Sequence, residues 1–314
     1  MNRAAVSLLL AIPLVLPAAA RADSELQKTL KLVPGGELVV DVDLGGVAVH
    51  GTTESDVRLI VTSKRDDLND LLRFDFEEQP GKVRIVARKR HPSSWFSFRS
   101  TSVQFDLRVP AQTRVDVETS GGAIKVESLR APAKLETSGG GLQVSDLVGE
   151  LDGHTSGGGI RLSKIEGRVR VHTSGGGIEG RDLSGPIEAD TSGGRVELAR
   201  VAGDIRAHSS GGGIRVDSAG GRVEADTSGG GIEASFARGN SRGGTLQSSG
   251  GGVEVQVDPD ANLDVDASGN SVHMDLPLRV QGEISRHRVH GKLGRGGELL
   301  RVHTSGGGVR IQPL

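Results

Sequence analysis

The sequence predicts an all-β chain: a single-chain β-solenoid with two short strands per 18-residue coil, preceded by an N-terminal β-region that caps it. Three observations predict it. First, Thr119-Ser120, Thr137-Ser138, Thr155-Ser156, Thr173-Ser174, Thr191-Ser192, Ser209-Ser210 and Thr227-Ser228 each lead into Gly-Gly, and each start lies 18 residues after the last; a fixed period in this range is the mark of stacked structural repeats. Second, the columns Ile124, Leu142, Ile160, Ile178, Val196, Ile214, Ile232 and Val115, Ala133, Leu151, Val169, Ile187, Ile205, Val223 are apolar throughout. Around them apolar and polar residues alternate, the period of a strand with one buried face. Third, Asp116, Lys134, Asp152, Arg170, Glu188, Arg206, Glu224 alternate in sign. Coils stacked about 4.8 Å apart would set each of these charges between opposite ones.

Taken in order, Arg3, the apolar run Ala4 to Leu16 and Ala20-Arg21-Ala22 read as an export signal over residues 1–22. The mature chain is expected to begin at Asp23, with no transmembrane span, because no later stretch approaches about 20 apolar residues. Cysteine is absent, so neither lipoprotein acylation nor a disulfide framework is available. Residues 23–112 form the N-terminal β-region. Strands are expected at Leu38–Val42, Val47–Val49, Val57–Val61, Val83–Val86 and Val103–Val109, and Asp66 to Leu72 fits either a helical turn or a loop. Residues 113–314 form the solenoid. Its glycines read as coil corners, where φ can be positive and backbones approach closely. The spacing loosens after Thr227, Leu276 to Gly297 breaks it, and Thr304-Ser305-Gly306 restores it in a modified C-terminal cap.

The chemistry that the repeats exclude is as informative. The net charge of −2 gives no pull toward nucleic acid. No GxxxxGK[ST] phosphate loop is present, and a catalytic serine has no reason to be copied into every coil. No catalytic residue and no cofactor is therefore expected. The column His154, His172, Asp190, His208, Asp226 carries metal-ligand residue types, but parallel side chains close poorly around an ion, so it reads as a solvated polar ladder and no metal is assigned. A second candidate lies at 82–100, where Arg88, Lys89 and Arg90 precede Trp95, Phe96 and Phe98. Basic groups with an aromatic tip could dock on envelope polysaccharide, anionic lipid or another envelope protein. Alternatively the rings cover the solenoid end.

The leader, the strand ending in Val109-Pro110 and the tandem TSGG-G-Ile-x-Val repeats together resemble the bacterial putative adhesin family of β-strand-repeat proteins, catalogued as a domain of unknown function. The resemblance covers nearly all of the expected mature chain. It implies an exported, non-enzymatic envelope or surface protein, periplasmic or extracellular, and carries over no site residues. The other reading is a periplasmic ligand-binding or sensing module using segment 82–100 or the His/Asp/Glu ladder.

Overall fold

The computed structural model describes residues 24–64, 68–90, 103–277 and 279–314; the export signal assigned to 1–22 lies outside them. In a regular coil, strand Val169–Thr173 enters the Thr-Ser-Gly-Gly corner and strand Ile178–Leu183 leaves it. Strands before the corner stack into an entry sheet and strands after it into an exit sheet, of 15 and 14 strands among the described residues. Pairing is parallel and in the 18-residue register. Val169 lies opposite Leu151 and Ile187, and Ile178 opposite Ile160 and Val196. Both apolar columns face the slot between the sheets and are buried, Ile178 to 1% exposure and Val169 to 0%.

The corner departs from the sequence-based expectation in one respect. The Gly-Gly pairs do not supply left-handed backbone; that conformation falls instead on Ser128, Asp146, Lys164, Asp182, Arg200 and Ser218, with φ between 53° and 59°. Each is the bend residue just before the buried Leu129, Leu147, Ile165, Leu183, Val201 or Ala219, and the extra residue turns that apolar side chain back into the core. The second glycine of each regular pair serves close approach. A Cβ on Gly176 would sit well inside contact distance of the Gly158 carbonyl.

The anchor hydroxyls hold this approach together. Thr173 is fully buried; its Oγ1 donates to the Gly158 carbonyl of the preceding coil at 2.8 Å and accepts the Gly176 N–H at 3.2 Å. Thr137, Thr155, Thr191, Ser209 and Thr227 repeat both bonds. A buried hydroxyl without partners is costly, so the anchor position selects Thr or Ser that can use both lone pair and proton.

The alternating charges fall in one column on the outer face of the entry sheet, each opposite the next. Arg206 contacts Glu224 at 2.9 Å, and Arg170 contacts Glu188 at 3.9 Å and Glu150 at 2.9 Å. Replacing Arg170 with Glu is expected to cost about 1 kcal/mol, less at high salt, because three acids would then stack. In that background Asp152→Asn with Glu188→Gln is expected to cost less than in the parent. Equal costs, measured by urea titration, would reject the stacking. Sequence inspection missed a second ladder of alternating sign, Asp146, Lys164, Asp182, Arg200, carried by the left-handed bend residues; Arg200 contacts Asp182 at 2.6 Å.

Both ends of the solenoid are interleaved. Strands Glu37–Val42 and Gly46–Thr52 form a coil between the coil of Arg114–Thr119 and Ile124–Leu129 and an outer one made by Lys82–Lys89 and Val103–Pro110. At the other end, Glu298–Thr304 and Gly308–Pro313 insert between Gly244–Ser248 with Val253–Val257 and the outer Leu263–Ser268 with Ser271–Met274. The coil restored at Thr304 is thus not the spatial end. Antiparallel strands lie beyond: Ser24–Lys31 on Asp56–Ser63, Leu72–Gln79 on Lys82–Lys89, and Arg279–Ile284 on Arg288–Leu293. Leu68–Leu71 is one helical turn. Phe74, Phe76 and Phe105 fill the N-terminal end, with Phe74 and Phe76 stacked at 6.1 Å and Lys28 4.0 Å over the Phe76 ring.

Candidate functional site

The polar ladder is built by the entry-strand residue that faces outward just before each anchor. Parallel pairing sets Glu136 opposite His154, His154 opposite His172, His172 opposite Asp190, and His208 between Asp190 and Asp226. The His154 and His172 rings stack at 5.1 Å and 4°. His172 Nδ1 lies 3.7 Å from Asp190 and His208 Nδ1 3.2 Å from Asp226. Contacts therefore run from neighbour to neighbour along the column. Among the described residues, no three His, Asp or Glu side chains come together to hold a metal ion.

The basic candidate is reorganised more deeply. Strand Lys82–Lys89 pairs with the acidic strand Glu37–Val42, and its outward cations meet acids from that strand and the turn after it. Lys82 contacts Glu37 at 3.1 Å and Arg84 contacts Asp41 at 4.0 Å. Arg88 forks onto both carboxylate oxygens of Asp41 and reaches Asp43 at 3.0 Å. Those hydrogen bonds, Asp41 first, hold the guanidinium charged and raise its pKa well above the usual arginine value. Arg88 is thus a neutralised structural group. Lys89 and Arg90 are exposed and make no ion pair among the described residues, and their backbones are pinned: Lys89 N–H donates to Asp43 at 3.0 Å and Arg90 N–H to the Leu71 carbonyl at 3.0 Å. Trp95, Phe96 and Phe98 lie outside the described residues.

A residue absent from the sequence-based selection joins this site. The antiparallel pairing of Leu72–Gln79 with Lys82–Lys89 sets Arg73 opposite Arg88. Arg73, Arg88, Lys89 and Arg90, with Asn69 and Asp70 from the helical turn, line a cavity of about 770 Å³. Alternation in Leu72-Arg73-Phe74-Asp75-Phe76 was the available signal for the strand; only the hairpin register brings Arg73 to the site.

A family model, Toastrack DUF4097, matches residues 36–312, which spans the strands from Glu37–Val42 to Glu298–Thr304 and both candidate surfaces, and leaves out strand Ser24–Lys31. The chain belongs to the Toastrack DUF4097 family. No curated protein matches this Toastrack chain. Among solved structures, similar chains include a "putative adhesin" from Bacteroides fragilis, 9% identical over 93% of this chain and 97% of that one, with a TM-score of 0.40. A "putative lipid binding protein" from Parabacteroides distasonis is 12% identical over 93% and 97%, with a TM-score of 0.37. A "putative cell adhesion protein" from Clostridium sporogenes is 11% identical over 93% and 100%, with a TM-score of 0.28. Among the described residues of the Toastrack chain, no helix is long and apolar enough to cross a membrane.

Proposed function

We propose that this Toastrack protein is an exported cell-envelope or surface module that acts by interaction and not by catalysis. The observation that carries the reading is the copying of chemistry from coil to coil. The anchor hydroxyls are consumed in identical buried hydrogen bonds, and the outward polar residues form ladders whose contacts are ion pairs between neighbours. Such a surface offers a rigid, extended face in place of a single reacting centre. The basic cavity at the N-terminal end supports a ligand-binding variant of the same role.

The test is cell fractionation of the native host with mass measurement of the recovered protein. The expected result is a chain beginning at Asp23 in the periplasmic, envelope or released fraction, with envelope material retained on it during purification. Recovery of the chain with Met1 intact in the cytoplasm would overturn the reading.

A further inference from the structure

We infer that Arg73, Lys89 and Arg90 form a binding site for a phosphate group carried on a hydroxylated headgroup. The inference rests on the interaction role proposed above and names the ligand chemistry. The three cations come from strand Leu72–Gln79, the last residue of strand Lys82–Lys89 and the residue after it, and are exposed on one cavity of about 770 Å³. None of them has an ion-pair partner among the described residues, whereas Arg88, in the same cavity, is claimed by Asp41 and Asp43. Asp41 and Asp43 therefore do not cancel the free cations.

The supporting backbone is fixed from both sides. Arg90 is tied to Leu71 of the helical turn and Lys89 to Asp43, so the basic groups start from anchored positions, which lowers the entropy lost on binding. Arg73 stands directly across from Arg88. Asp41 and Asp43 already meet the charge of Arg88, so an anion in the cavity would pair with Arg73 and not with Arg88.

The donor set selects the ligand class. Two guanidinium forks can each give paired N–H donors to a tetrahedral oxyanion, and the Lys89 ammonium adds a compact charge. Asp70, which also lines the cavity, is an acceptor suited to hydroxyls beside the phosphate.

The test uses the purified protein in calorimetric titrations with inorganic phosphate and glycerol 1-phosphate, and in co-sedimentation with vesicles of phosphatidylglycerol or of phosphatidylcholine. Saturable binding of glycerol 1-phosphate, tighter than that of inorganic phosphate and weakened by salt, is expected. Sedimentation with phosphatidylglycerol alone would assign the headgroup to a membrane, and binding of only the soluble ester would assign it to a free or glycan-borne phosphate. Arg73→Gln with Arg90→Gln is expected to weaken binding at least tenfold while leaving the melting temperature near that of the parent. Lys89→Gln gives an independent variant, with a smaller loss expected. Arg168→Gln, at an arginine in the turn before strand Val169–Thr173 with no ion pair among the described residues, is expected to change nothing. Absence of saturable binding to any probe, or equal losses in the Arg168 and Arg73/Arg90 variants, would overturn the site. A protein found in the envelope that fails this test keeps the interaction role and loses only the phosphate site.

Discussion

Gly176→Ala is expected to destabilise the solenoid by about 3 kcal/mol or more, while Gly175→Ala, one residue earlier in the same corner, is expected to cost about 1 kcal/mol or less. The difference lies in what a methyl group would meet. At Gly176 it would run into the carbonyl of Gly158 and the amide of Gly159, backbone atoms of the coil beneath that cannot rotate away; at Gly175 the nearest atom is the Gly157 carbonyl at 3.2 Å. Relieving the first clash means separating two coils, which stretches the Thr173 bond to Gly158 and the parallel pairing beside it. At Gly121 a Cβ meets nothing within 4 Å. Gly121→Ala is therefore expected to be neutral or stabilising by up to about 1 kcal/mol through the unfolded chain. Urea midpoints of the three variants check the series. Equal losses for Gly175 and Gly176 would mean that the coils do not approach as closely as the glycine pairs imply.

Ile178→Asp is expected to cost about 3–5 kcal/mol, because it places an unpaired carboxylate in a 1% exposed position between Ile160 and Val196. The penalty should depend on pH in a definite direction. Burial disfavours the charged form and raises the folded-state pKa above the unfolded one, so the folded state holds the extra proton between the two values. Stability relative to the parent then falls as pH rises through that window and levels off above it. Gln143→Asp, on an outward position in the neighbouring column of the exit sheet, is expected to stay within about 0.5 kcal/mol of the parent. Parent-like melting of the Ile178 variant would place that column on the wrong face.

A strict repeat is a one-dimensional signal, and everything that depends only on stacking identical coils could be read from it. The inward columns of Ile178 and Val169 follow from two-residue alternation. The charge column from Asp116 to Glu224 follows from the 18-residue register, since parallel strands one coil apart bring like positions side by side. The buried anchor hydroxyl is consistent with Thr or Ser at every start. The same period also explains the blind spots. Gly175 and Gly176 are equally periodic, and only the spacing of the coils in three dimensions separates an obligatory glycine from a tolerant one. The left-handed bends carry Lys164 and Arg200, residue types with no turn signature, so the conformation is imposed by the need to return Ile165 and Val201 to the core.

At the ends the repeat stops carrying information, because pairing there is between segments far apart in the chain. Nothing local says that Glu298–Thr304 slides beneath Leu263–Ser268, or that strand Ser24–Lys31 adds to Asp56–Ser63. The interaction site lies in this non-local part. Arg88 looks free beside Lys89 and Arg90 in sequence, yet Asp41, 47 residues away, claims it, and Arg73 enters through a hairpin register. Side-chain chemistry was visible residue by residue; which cations are spent on the fold and which remain for a ligand was decided by the strand that packs against them.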